Sequence, residues 1–202
     1  MPLPAAEGAG PDGGALPLLL EPPRSVAAFA TERLLRPGGL GEAFALAEGG
    51  LLVLRCDGRL PTRTFGAIAS AGQLTFEPLM RRVRGSGSEE PFGDGGTAMF
   101  AAVGQGVMVV APRGARFTLL ALADDIVYVR EPQVFAFEES LAWENGRLPS
   151  ALKNDEASRV VQFRGNGRLV MRTERAWAVL QTVLDPEERH EQLVCYCTEL
   201  VP

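Results

Sequence analysis

The chain has 202 residues, 46% hydrophobic and 22% charged, with a formal net charge of −5 and a pI near 5.1. This is a globular rather than a disordered composition, and the length allows one large β domain or two small ones with a substantial core. The acidic balance argues against a dedicated nucleic-acid binder, which carries a basic face.

Residues 1–24 are read as a flexible tail, because residues 1–23 hold six prolines and four glycines with no periodic apolar pattern. The apolar stretch Ala15–Leu20 is short and no Lys or Arg precedes it, so it is not a secretory leader. No run approaches the ~18 apolar residues of a spanning helix. The expectation is a cytoplasmic protein without a membrane span.

From Ser25 onward, short apolar runs alternate with glycine, proline and acidic turns. Candidate strands are Val26–Thr31, Ala43–Ala47, Gly50–Cys56, Thr62–Ser70, Gln73–Glu77, Ala98–Val103, Gly106–Ala111 and Arg116–Ala121. They continue with Ile126–Arg130, Val134–Glu138, Ser140–Glu144, Arg159–Arg164, Arg168–Thr173, Ala176–Thr182 and Leu193–Leu200. Most are rich in Val, Phe, Leu and Thr, as pleated strands are. Asp57-Gly58, Asp94-Gly95, Arg113-Gly114, Asn145-Gly146 and Asn166-Gly167 read as turns. The polar stretch Arg81–Gly96 reads as a linker. The only helical signal of note is Asp185-Pro186-Glu187-Glu188, an N-cap with proline at the first helical position. The fold class expected is all-β, an antiparallel sandwich or barrel.

The pattern R-x4-[IF]-A-x4-L-x-[FW]-E occurs twice, at Arg63, Ile68, Ala69, Leu74, Phe76, Glu77 and at Arg130, Phe135, Ala136, Leu141, Trp143, Glu144. A weaker echo relates Gly104-x-Gly106 to Gly165-x-Gly167. This implies a supersecondary unit built at least twice, with a diverged third copy; the units run over about 25–80, 97–150 and 159–202 within one domain, 25–202. Leu and the aromatic two residues later share one strand face, so Leu74 with Phe76 and Leu141 with Trp143 are expected core anchors. Ala69 and Ala136 allow close approach of a facing sheet. Glu77 and Glu144 are expected to pair with the repeat arginines Arg63 and Arg130, or to be solvated.

Several stretches together resemble the altered-inheritance-of-mitochondria family of β proteins. They are Gly104-Gln-Gly-Val-Met-Val-Val-Ala-Pro112, Asp125-Ile-Val-Tyr-Val-Arg130, Phe135-Ala-Phe137 and Phe163-Arg-Gly-Asn-Gly-Arg-Leu169. Upstream, Arg63, Gly66-Ala-Ile68, Gly72-Gln-Leu-Thr-Phe-Glu77 and Phe92-Gly-Asp-Gly-Gly-Thr97 resemble its first half. The likeness spans roughly residues 26–182 and departs in the segment from Leu184 to Pro202. It implies a fold related to the tryptophan RNA-binding attenuation protein, with packed antiparallel sheets in a pseudo-repeated, roughly threefold arrangement. It also implies self-association, with trimers favoured, and carries over no catalytic residue.

Chemistry-bearing motifs are scarce. The only histidine, His190, lies among Glu187, Glu188 and Glu191, which removes histidine-based metal sites and triads together. The glycine-rich segments lack the lysine and the following helix of a phosphate loop, and read as strand-entry turns. Cys56, Cys195 and Cys197 have no metal or redox spacing, and Cys195 and Cys197 on one strand face are too far apart to bridge. No catalytic, cofactor or metal residue is assigned. Arg81, Arg82 and Arg84 form the one basic cluster and are the candidate interaction surface, although Glu89 and Glu90 offset it. The expected function is a non-catalytic, self-associating scaffold or binding module, with RNA or nucleotide binding as the alternative.

Overall fold

The computed structural model describes residue 25, residues 42–147 and 159–174, and the backbone of 180–181 and 193–194. The tail, the candidate strand Val26–Thr31, the signal at Asp185, His190, Cys195 and Cys197 lie outside the described residues. The described sheet belongs to the unit Arg36–Pro202. The fold is all-β: apart from strands, the described residues form only three-residue 3-10 turns. Among the described residues no helix is long and apolar enough to cross a membrane.

The strands are β1 (Phe44–Leu46), β2 (Leu52–Thr62), β3 (Ala67–Pro78), β4 (Met80–Val83), β5 (Ser86–Pro91) and β6 (Phe100–Val110). They continue as β7 (Arg116–Arg130), β8 (Val134–Phe137), β9 (Ala142–Arg147), β10 (Arg159–Thr173), β11 (Leu180–Gln181) and β12 (Leu193–Val194). The large sheet runs in the order β11-β12-β7-β10-β8-β2-β6-β3, with β1 on β2 and β9 on β10; β4 and β5 form a separate hairpin. All pairs are antiparallel except β12 with β7.

Three expected turns lie inside strands instead. Asp57-Gly58 sits within β2, Asn166-Gly167 within β10 and Asn145-Gly146 within β9. The expected break at Gly104-Gln105-Gly106 likewise falls inside β6. Turn chemistry is a local preference, and ladder pairing overrides it: β6 pairs continuously with β2 from Leu52↔Val110 to Thr62↔Phe100, and β3 holds the other edge of β6. Glycine is still required there. Gly104 has φ +124, and a Cβ on it would run into the Gln73 carbonyl oxygen of β3. Asn166-Gly167 is accommodated by a β-bulge between Gly165 and Asn166.

The expected linker is also structured. Arg81–Gly96 contains most of the β4–β5 hairpin and the 3-10 turn Gly95–Thr97, which Asp94 and Thr97 close as a capping box. Glu144 accepts the Gly85 backbone N–H, and Asn145 Oδ1 accepts that of Arg82 at 3.0 Å, so the hairpin lies on β9.

Pairing within the sheet follows constant displacements. Phe76↔Ala102 of β3 and β6 has its counterpart in Trp143↔Phe163 of β9 and β10, and Ser70↔Met108 in Phe137↔Leu169 of β8 and β10. Thr62↔Phe100 of β2 and β6 corresponds in the same way to Val129↔Val161 of β7 and β10. Even the irregularity is shared, because the pairing skips Ile68 in β3 and Phe135 in β8. β10 thus stands to β7, β8 and β9 as β6 stands to β2 and β3. Its glycines Gly165 and Gly167 pair with the preceding strand β7, as Gly104 and Gly106 of β6 pair with β2.

Two apolar clusters hold the sheet. One gathers Phe92, Met99, Val129, Phe137, Leu141 and Phe163; the other gathers Phe44, Leu52, Leu54, Leu60, Met108 and Phe135. Edge-to-face rings (Phe137 with Phe163 at 5.0 Å, Phe117 with Phe135 at 5.0 Å) add directional contacts to each. Leu141 is a core anchor as expected, but Phe76 is 39% exposed and is not one.

Gly104→Ala is expected to destabilise by about 3 kcal/mol, from backbone strain plus overpacking against β3. Gly58→Ala, where φ is +103 but no atom lies within 4 Å, should lose only about 1 kcal/mol. Urea denaturation of the two variants checks the difference.

Candidate functional site

Among the described residues the corner between β7 and β8 concentrates the buried polar groups. Strand β7 ends at Arg130, and Pro132, whose ring disfavours a continued ladder, helps to set the 3-10 turn Glu131–Gln133. Glu131 is 4% exposed. Its Oε1 accepts Arg81 Nη2, its Oε2 accepts the Asn145 amide at 3.3 Å, and its backbone carbonyl accepts Arg63 Nη2 at 2.7 Å. Arg63 Nη1 donates to the Pro132 carbonyl at 2.9 Å and Arg63 Nε reaches Met99 Sδ at 3.4 Å. One acidic residue therefore ties together the end of β2, the β4–β5 hairpin and β9.

Arg63 is itself 5% exposed. Burial lowers its pKa from the ordinary arginine value to about 10; Glu131 opposes the fall and the like charge of Arg172 adds to it. It remains cationic at neutral pH. The guanidinium is held by carbonyl oxygens rather than by a carboxylate, so its charge is solvated by peptide dipoles and only partly matched.

The basic cluster does not form one surface. Arg81 is 6% exposed and bound to Glu131, with Glu90 at 3.3 Å and the Pro91 carbonyl at 3.1 Å from its Nε. Arg82 is exposed and lies over the Trp143 ring at 5.8 Å. Arg84 occupies the hairpin turn with φ +53. Alternation along β4 sends Arg81 inward and Arg82 outward, which clustering in sequence alone does not reveal.

The expected repeat ion pairs are also replaced. Arg63 takes the carbonyls of the β7–β8 corner and not Glu77, which is exposed on β3. Glu144 serves the Gly85 N–H. Arg130 lines a cavity instead, and makes no hydrogen bond or ion pair with another described side chain. That cavity measures about 510 Å³ and is walled by Arg63, Phe65, Arg130, Gln133, Arg172 and Thr173, with Gly96, Thr97, Pro132, Phe135 and Glu174 completing it. Cys56 is buried, its thiol donating to the Ala102 carbonyl at 3.3 Å; burial first, and Asp57 second, push its pKa up, which disfavours the thiolate. Among the described residues no group of His, Cys, Asp and Glu is placed to hold a metal ion.

Glu131, Gln133 and Arg172 escape a reading of the sequence. Glu131-Pro132 looks like a solvated turn after a strand, and Arg172 alternates with Met171 and Thr173 like any outward charge. The one usable signal is the repeat arginine itself, which marks Arg63 as special without naming its partner. In comparisons with protein-family models, curated proteins and solved structures, nothing matches this chain.

Glu131→Gln is expected to cost about 3 kcal/mol, because it removes the buried counter-charge of the Arg81 guanidinium and leaves only the exposed Glu90. Replacing both partners by Met should restore most of that loss. Equilibrium urea unfolding of the single and double variants measures both.

Proposed function

We propose that this chain is a non-catalytic, self-associating β module, a scaffold or binding unit built from a duplicated strand set and assembled through strand β3. One observation carries the reading: matched positions of β3 and β8 have opposite environments. Phe135 and Ala136 of β8 are 1% and 0% exposed, whereas Ile68 of β3 is 56% exposed and its neighbour Ala69 is also at the surface. Phe135 is covered because β8 meets the end of β2, through Thr62↔Ala136 and the Arg63 N–H donating to the Phe135 carbonyl at 2.9 Å.

Among the described residues β3 pairs only with β6, leaving twelve residues of edge with one charge, Glu77. Natural edge strands of that length are normally blunted by charges, prolines or a cover. A second copy supplies the cover, burying Ile68 and Phe76 as the chain buries Phe135 and, in part, Trp143. Since β8 meets β2 and not another β8, the contact joins unlike edges. Repeated between chains it is heterologous, which gives a ring when the rotation between copies closes, and the resemblance to the altered-inheritance-of-mitochondria family favours three copies. The nucleic-acid alternative loses support here, because Arg81 is buried and the basic cluster is divided.

Size-exclusion chromatography with light scattering is expected to give about three times the 21.6 kDa chain mass. Ile68→Lys combined with Phe76→Lys should give the monomer with an unchanged far-ultraviolet spectrum. A wild-type monomer at micromolar concentration overturns the proposal.

A further inference from the structure

We propose that the cavity at the β7–β8 corner is a binding site for a small organic oxyanion, with Arg130 and Arg172 taking the anionic head and Phe65 the apolar body. The site goes beyond the assembly argued above and does not depend on it.

Charge is the first argument. Among the described residues three arginines, Arg63, Arg130 and Arg172, line the cavity against a single acidic side chain, the exposed Glu174. The nearby Glu131 carboxylate is committed to Arg81 and Asn145. Arg172 is close enough to Arg63 for its like charge to disfavour the Arg63 cation. Converging cations without a counter-ion are costly, and an anion in the cavity removes that cost.

Unmet hydrogen bonding is the second. Arg172 Nη2 donates to the Pro112 carbonyl at 3.0 Å and reaches the Arg113 carbonyl at 3.4 Å, but its Nε is buried with no partner. Among the described residues the other buried side-chain atom without a partner is Gln133 Oε1, and Gln133 lines the same cavity. Buried polar atoms are nearly always satisfied, so two orphans on one cavity wall mark a polar ligand. An oxyanion accepts from arginine N–H groups, and a hydroxyl or protonated oxygen on the same molecule donates to Gln133.

The third argument fixes the body of the ligand. Phe65 is 46% exposed, and its ring is held by Arg172 at 5.2 Å and Arg113 at 5.8 Å. An aromatic ring presented beside guanidinium groups suits a flat apolar moiety attached to the anion. The volume, about 510 Å³, is that of small-molecule sites.

Isothermal titration with phenyl phosphate and with inorganic phosphate, at low and matched chloride, tests the proposal on the full chain in whatever assembly it forms. Phenyl phosphate should bind about tenfold more tightly than inorganic phosphate, and Phe65→Ala should erase that preference. Arg130→Met should weaken both about tenfold. It is the decisive variant, since the Arg130 side chain bonds to no described residue, whereas Arg172→Met also removes the Pro112 contact. Absence of binding heat up to about 10 mM of either probe, or binding unchanged in Arg130→Met, overturns the site.

Discussion

The Glu131 carboxylate, buried at the corner between β7 and β8, receives Arg81 from the hairpin and the Asn145 amide from β9, while its own carbonyl receives Arg63 from the end of β2. These segments are far apart in sequence, and each brings a charge or dipole that is expensive to bury alone. A buried ion pair adds little net stability over a well-packed apolar contact. It does penalise every arrangement in which one partner is buried without the other. The corner therefore acts as a constraint on register more than as a source of free energy. β8 can meet β2 only where Arg63 finds the carbonyls of Glu131 and Pro132.

The same corner explains why similar sequences end in different environments. β8 lies between β10 and β2 and is buried along its whole length, while β3, among the described residues, lies at the end of the sheet and is exposed along nearly all of it. Ile68 and Phe135 occupy matching irregularities in their strands, so the backbone treats them alike. What separates them is a neighbour. Phe135 enters the cluster of Phe44, Leu52 and Leu54, and Ile68 has no such cluster to enter.

Crowding of cations beside the corner follows from the strand ends. β2, β7 and β10 all finish here, and each contributes an arginine: Arg63 just after β2, Arg130 closing β7 and Arg172 near the end of β10. Glu131 cannot serve them all, because its carboxylate already faces the hairpin. The excess positive charge and the orphaned Arg172 Nε are thus consequences of the architecture, and they give the cavity its chemical character.

The all-β class, the positions of most strands and the importance of Arg63 and Leu141 were legible in the sequence, since period-two apolar runs and a repeated pattern are local signals. The turn dipeptides misled where pairing with a long neighbouring strand kept the chain extended, as at Asp57-Gly58 against β6 and Asn166-Gly167 against β7. The polar texture of Arg81–Gly96 hid a hairpin, because its order comes from contacts with Glu144 and Asn145 rather than from its own apolar residues. The amino-acid sequence by itself determined that the chain makes strands and that one arginine-headed pattern recurs. Only the tertiary structure decided that Arg81 turns inward to Glu131, that β3 is left at an edge, and that Arg63, Arg130 and Arg172 face one cavity. Each of those facts is a relation between segments distant in the chain, which no local pattern encodes.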